Sequence, residues 1–262
     1  KYFCKSCGEI DEKCEHDAKT YKDSVIDINE YFNSAVKKSK VRNIPEMIKG
    51  VRGTSNKDHI PEHLVKGILR AANNVYVNKD GTTRYDMTEL AITHFKPKEV
   101  ETSIAKLKLI GYTHDTYGKE LINDEQIIEL RCQDLILPAC PESPDEGADK
   151  VLTNVANFID DLLENLYELP RYYNIKTRED LVGHLLIGLS PHTAAGIVCR
   201  IVGFSKTQGM FAHPYLHSIM RRDTDGDEAG VMLVLDAFLN FSREMLSNHR
   251  GATQDEPLVL TS

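Results

Sequence analysis

Residues 138–149 read Pro-Ala-Cys-Pro-Glu-Ser-Pro-Asp-Glu-Gly-Ala-Asp, a run that regular secondary structure cannot cross. Each proline removes a backbone donor and fixes its own φ, and the accompanying carboxylates and glycine favour an exposed loop. The chain is therefore divided at this point. We place a boundary here, with residues 23–140 as a helical and hairpin region and residues 141–262 as a core region. The first 22 residues stand apart as a small cysteine-containing module.

Periodicity fills in both halves. Residues 24–40 read as a helix, with Ser24 or Asp27 as its cap and Lys37, Lys38 and Lys40 at the end that favours cations. A second helix is expected over residues 61–73, started by Pro61. Lys79-Asp80-Gly81 lies between the β-formers Val75-Tyr76-Val77 and Thr82-Thr83-Arg84-Tyr85, which predicts a hairpin. Residues 97–109 suggest a short helix and residues 110–117 a strand and turn. Beyond the boundary, residues 150–168 form an amphipathic helix stopped at Leu169-Pro170. Thr177-Arg-Glu-Asp180 resembles a capping box opening a helix over residues 177–189. Residues 197–204 read as a strand, and residues 228–246 as a long apolar helix whose apolar face is core.

Lys plus Arg total 32 and Asp plus Glu total 40, a net charge of -8, whereas a nucleic-acid-binding surface is usually basic. A local patch such as Lys37, Lys38, Lys40, Arg42, Lys49 and Arg52 could touch a nucleic-acid backbone, or be a solvated face. No apolar run approaches the roughly 18 residues of a membrane span, so no membrane partner is expected. No signal peptide is visible, and the chain begins with Lys1, which reads as a fragment, a processed chain or a renumbered one.

Six cysteines are unevenly spaced, which fits a reducing cytosol better than a disulfide framework. Cys4-x₂-Cys7-Gly8 is a metal half-site, and Cys14 and His16 can complete a Zn²⁺ site, with Asp17 as the alternative fourth ligand. Three unrelated thiols at a frayed terminus would look the same. Cys132, Cys140 and Cys199 read as plain thiols, and His184 and His192 as structural histidines.

Arg221-Arg222-Asp223-Thr224-Asp225-Gly226-Asp227-Glu228 is the sharpest local feature. Alternating carboxylates around a glycine can converge on a hard cation such as Mg²⁺. A solvated acidic loop shares this composition. A calcium-binding EF-hand does not fit: counted from Asp223, the position that needs glycine is Glu228, and the one that needs glutamate is Val234. His213, Tyr215, His217 and the two arginines nearby make a mixed-charge neighbourhood suited to phosphoryl transfer, although the two histidines would read equally well as polar groups on a strand or helix edge.

Several stretches closely resemble archaeal family D DNA polymerase large subunits. They include Leu181-Val-Gly-His184 through His192 to Gly196, Gly203-Phe204-Ser-Lys206, Phe211-Ala-His213-Pro214-Tyr215, and Asp225-Gly226-Asp227-Glu228. Gly53 to Arg70, Val75 to Gly81, Arg84 to Thr88 and Thr93 to Pro97 do so as well. The resemblance implies an α+β fold: part of a double-psi β-barrel polymerase core with helical insertions and an N-terminal zinc module. It implies a catalytic subunit that transfers nucleotides from dNTP to a primer 3′-hydroxyl by a two-metal mechanism. Asp225 and Asp227 would hold Mg²⁺, with Asp223 as a further catalytic candidate and Arg221, Arg222 and His213 as phosphate contacts. The family usually carries Asn-Cys before Asp-Gly-Asp. Asp223-Thr224 here is closer to the triple-aspartate loop of multisubunit RNA polymerases. Implied partners are primer–template DNA, dNTP, a small proofreading exonuclease subunit, the remainder of the large subunit and a sliding clamp, in the archaeal cytoplasm with the chromosome. This chain alone is expected to be inactive. The other readings are a non-catalytic zinc-containing DNA-binding portion of a replication protein, and an RNA-polymerase-like double-psi-barrel subunit.

Overall fold

The computed structural model describes residues 1–22, 24–50, 62–78, 80–190, 195–241 and 259–261. Pro61, Arg52 and His192 lie outside the described residues. At the N-terminus β1 (Tyr2–Cys4) and β2 (Gly8–Ile10) pair antiparallel with Cys4 opposite Gly8. Phe3 and Lys19 exchange backbone hydrogen bonds of 2.7 and 3.0 Å, which folds the following segment back onto β1.

Helix α1 (Ile28–Ser39) is capped by Asp27, whose carboxylate accepts the Asn29 and Glu30 N–H groups, and it ends at Lys40 with φ 54°. Helix α2 (Leu64–Ala72) starts at His63, which accepts the Val65 N–H through Nδ1 at 3.2 Å. The Asp80-Gly81 turn forms, with Asn78 N–H donating to Thr82 O at 2.8 Å and Gly81 at φ 92°. Its arms do not become a two-stranded hairpin. Thr83 N–H donates instead to Asp236 Oδ2 at 2.7 Å, and the chain enters β3 (Tyr85–Ala91), which pairs elsewhere.

The chain continues through β4 (His94–Phe95), α3 (Ile104–Leu109), β5 (Ile128–Glu129), β6 (Asp134–Pro138) and α4 (Ala148–Asn165). It then runs through β7 (Leu185–Leu189), β8 (Ala195–Ser205), β9 (Met210–Ala212), α5 (Pro214–Ile219), β10 (Glu228–Leu233), α6 (Val234–Asn240) and β11 (Val259–Thr261). The central sheet is mixed. β10 pairs antiparallel with β3 and β7, β3 runs parallel to β9, β9 antiparallel to β6, β6 parallel to β8, and β8 antiparallel to β7. These pairings close on themselves. β11 is added parallel to the start of β8.

Side chains along β6 alternate between two cores. Leu135 and Leu137 join the main core with Leu152, Val155, Phe158, Ile159 and Leu162 of α4, whereas Ile136 faces a smaller cluster with Phe95, Leu107, Tyr112, Leu130 and Val202. Arg200 grips the buried Asp134 at 2.9 and 2.6 Å, and Tyr112 donates to the same carboxylate at 2.5 Å, so the segment carrying the smaller cluster is tied to β6 and β8. The acidic loop at 139–147 connects β6 to α4.

Other sequence expectations need correction. Residues 97–109 hold a 3₁₀ turn at Pro97–Glu99 and the separate α3. Residues 110–117 contain the turn but no strand. The Thr177–Asp180 capping box forms, yet it opens only a 3₁₀ turn over Arg178–Leu181 before β7. The apolar run after Asp227 is not one helix but β10 followed by α6; its last part, 242–246, lies outside the described residues. Ala229, Val231, Met232 and Leu233 are all buried, as expected for core. A strand buried on both faces shows no alternation, so periodicity alone cannot separate it from a buried helix. Among the described residues no helix is long and apolar enough to cross a membrane.

Asp236, on α6, is fully buried, and burial pushes its carboxyl up to about 6 from 3.8 despite bonds from Thr83 N–H and Asn240 Nδ2. A raised carboxyl favours the folded state below about pH 4, and that contribution is lost as pH rises through about 6. Chemical denaturation of wild type and Asp236→Asn across pH 4–7 should therefore show the stability difference moving against wild type by about 3 kcal/mol. A pH-independent difference would contradict this account.

Candidate metal centre

Strand β9 leads to His213, which caps α5 by accepting the Tyr215 N–H at 3.2 Å and whose ring lies tilted against that of Tyr215, 4.8 Å between centroids. Helix α5 then stops abruptly. Arg221 takes φ 60°, its N–H donates to Ser218 O at 3.1 Å, and Arg222 N–H donates to His217 O at 2.9 Å. That bond pattern is a Schellman ending, usually formed with glycine in the left-handed position. Ser190 fixes the same end by donating its hydroxyl to Met220 O at 2.8 Å.

The loop that follows is short and heavily constrained. Thr224 has φ 65° and Gly226 φ 123°; a threonine in the left-handed region is strained, whereas glycine tolerates it. At the far end Glu89 N–H of β3 donates to Asp227 O at 3.0 Å, one residue before β10 begins. The result is convergence: one carboxylate oxygen from each of Asp223, Asp225 and Asp227 lies within 4.8 Å of the others. Asp223 and Asp225 are exposed and Asp227 is half-buried.

Crowding has an electrostatic signature. A hydrogen bond with Asp223 and that neighbour's negative charge push the Asp225 carboxyl above its ordinary value, and Asp227 adds to the effect. Arg222 contacts the Asp227 carboxylate at 3.3 Å, so its guanidinium is engaged inside the loop. Arg221 is exposed, and His213 serves α5 as a cap. His217, on α5, is buried, with Nδ1 3.1 Å from Glu89 Oε1. In the sequence His217 stands out only as a neighbour of the loop and Glu89 not at all, because only the sheet register brings β3 to this place.

The N-terminal module makes a second cluster. One ligand atom from each of Cys4, Cys7, Cys14 and His16 lies within 4.8 Å of the others, and Asp17 is exposed and outside the group. Four donors around a zinc ion at about 2.3 Å would stand roughly 3.8 Å apart, so the donor set and its spacing suit the metal. Cys7 Sγ already lies 3.4 Å from His16 Nδ1. The Cys7 backbone N–H lowers the Cys4 thiol, while the hydrogen bond to Cys4 pushes the Cys7 thiol up to about 11. Cys132, Cys140 and Cys199 are free thiols, and His184 packs edge-on against Tyr173 at 5.0 Å.

Residues 40–262 match the family described as "DNA polymerase II large subunit DP2, catalytic domain". The chain is 51% identical over 247 residues to the DNA polymerase II large subunit of Nanoarchaeum equitans, covering 90% of this chain and 20% of the relative. Identity is 47% over 266 residues with the protein of the same name from Archaeoglobus fulgidus, covering 100% of this chain and 23% of the relative. With that of Pyrococcus furiosus it is 50% over 250 residues, covering 95% and 19%. The chain thus spans about a fifth of the length of these relatives.

Proposed function

The chain belongs to the archaeal family D polymerase large-subunit catalytic-domain family, and from that premise we propose that its acidic loop is the metal-binding half of a DNA polymerase active site. The observation that carries this reading is the convergence of Asp223, Asp225 and Asp227 on one small volume at the surface. Their oxygens are the hard donors that Mg²⁺ prefers, and two of the three carboxylates stay open to an approaching triphosphate. Asp225 and Asp227 are the ligands in this reading, and Asp223 stands close enough to join them. The closed ring of β8, β6, β9, β3, β10 and β7, with its parallel pairs, supports a double-psi barrel as the scaffold.

In the proposed reaction the primer 3′ oxygen bonds to the α-phosphorus of a dNTP, the α–β phosphoanhydride bond breaks, and pyrophosphate leaves. Bound Mg²⁺ would activate the hydroxyl and stabilise the leaving group. The protein's own part is positioning. Arg222 orients Asp227 from behind, and the Schellman ending and β10 fix both ends of the loop. Arg221 remains exposed as a phosphate contact. His213 can add one only through the ring edge that capping leaves over.

Cys4, Cys7, Cys14 and His16 form the proposed zinc site. So small a module has little core of its own, and metal binding would supply much of its folding energy. Elemental analysis should find one zinc per chain, lost in the double variant Cys4→Ser, Cys7→Ser. Unchanged zinc content in that variant would exclude these ligands.

Asp225→Ala and Asp227→Ala should each reduce primer extension by the assembled enzyme at least a hundredfold, with primer–template affinity within about threefold, because the carboxylates act mainly in the transition state. Extension near the wild-type rate in either variant would refute the assignment.

The isolated chain should not extend a primer. Its net charge is -8, Arg222 is engaged by Asp227, and Lys206 lies 3.6 Å from Glu101. Arg221 by itself cannot neutralise a triphosphate, so the remaining cations must come from elsewhere, from the rest of the large subunit or a partner. Extension assays with and without those segments test this, and robust synthesis by the chain alone would overturn it.

A further inference from the structure

We infer that Glu89 and His217 form a buried positioning pair that holds Asp227 in the geometry its metal ion requires. The inference rests on the polymerase reading above and concerns residues outside the acidic loop. Glu89 has a fully buried side chain, and among the described residues neither of its carboxylate oxygens has a hydrogen-bond partner. His217 Nδ1 lies 3.1 Å from Glu89 Oε1, a contact not aligned as a hydrogen bond. The other ring nitrogen, Nε2, is 3.2 Å from Leu90 O; a carbonyl can only accept, so Nε2 carries the proton and donates. Nδ1 is thereby aimed at the carboxylate, and a second proton, on Nδ1 or on Glu89, is what makes the contact attractive.

A buried, poorly satisfied carboxylate is costly, and an apolar side chain would pack β3 more stably. Its position suggests why it is there. Glu89 and His217 are joined to Asp227 by two routes. On the first, the Glu89 backbone N–H holds the Asp227 carbonyl at 3.0 Å. On the second, the His217 carbonyl accepts the Arg222 N–H at 2.9 Å, and the Arg222 guanidinium contacts the Asp227 carboxylate at 3.3 Å. The Glu89–His217 contact closes the circuit. Asp227 is thus fixed at its backbone from β3 and at its side chain from α5, and the pair sets how far those two elements stand apart. Groups that orient metal ligands from behind typically contribute 10–100-fold to metal affinity or activity.

The test uses the assembled large- and small-subunit enzyme on a primer–template. Two variants are compared with wild type: Glu89→Leu, and the double variant Glu89→Leu, His217→Leu, which removes both buried polar groups together if the single change unfolds the protein. Mn²⁺ affinity is read by electron paramagnetic resonance, Mg²⁺ dependence by extension rate, and folding by the melting temperature. The expected result is Mn²⁺ affinity at least tenfold weaker and half-saturating Mg²⁺ correspondingly higher, with primer–template affinity within twofold. A folded variant that binds Mn²⁺ as wild type does overturns the inference, even if its melting temperature falls, because the pair is then only structural. Asp225→Asn is run alongside. If that variant extends normally, the polymerase reading of the loop fails. If it is inactive while the Glu89 variants keep wild-type Mn²⁺ affinity, the reading stands and only the positioning role is lost.

Discussion

Strand β10 is hydrogen-bonded along both edges, to β3 over Glu228–Val231 and to β7 over Gly230–Leu233. Its first residue directly follows the last aspartate of the acidic loop. Register therefore decides the site. A slip by one residue would turn every β10 side chain to the opposite face and displace Asp227 with them. Two features resist it. A Cβ at Gly230 would come within 2.4 Å of the Asp86 carboxylate, so a larger residue in this pairing would have to displace that side chain. The ring of strands also closes, which leaves β10 no free edge along which to shift.

With one end of the loop fixed by β10, the other is fixed by α5. The Schellman ending and the bond from Ser190 to Met220 hold that helix terminus against the end of β7. The same strand, β7, pairs with β10. Both ends of the loop are thus referred to one piece of sheet, and the few residues between have little freedom. Positive φ at Thr224 and Gly226 is how so short a connection turns its carboxylates toward one point.

Features governed by local chemistry were legible in the sequence. The cysteine knuckle, the Asp27 cap, the Asp80-Gly81 turn, the Thr177 capping box and the acidic loop all depend on residues a few positions apart. What failed was the choice of partner. The Asp-Gly turn forms, but Thr83 bonds Asp236 from far along the chain, so its arms never pair as strands. The capping box forms, but β10 and β8 claim the next residues for β7. The apolar run after Asp227 gave no alternation because both faces of β10 are buried. Glu89 and His217 could not be associated from sequence at all, since nothing but the sheet and α5 brings them together.

The site also holds its charges against their own repulsion. Three carboxylates with oxygens within 4.8 Å of one another are crowded; a hydrogen bond with Asp223, and then that neighbour's charge, push the Asp225 carboxyl up, and the left-handed Thr224 adds strain. Neither is stable in an isolated peptide of this sequence, which would let its carboxylates separate into water. They persist because a packed core and a closed sheet fix the loop's ends more strongly than the loop can relax. Donors held in place in this way need no reorganisation when a cation arrives, so its binding energy goes into coordination rather than into gathering ligands. In the proposed site, a bound cation would relieve the repulsion among the aspartates.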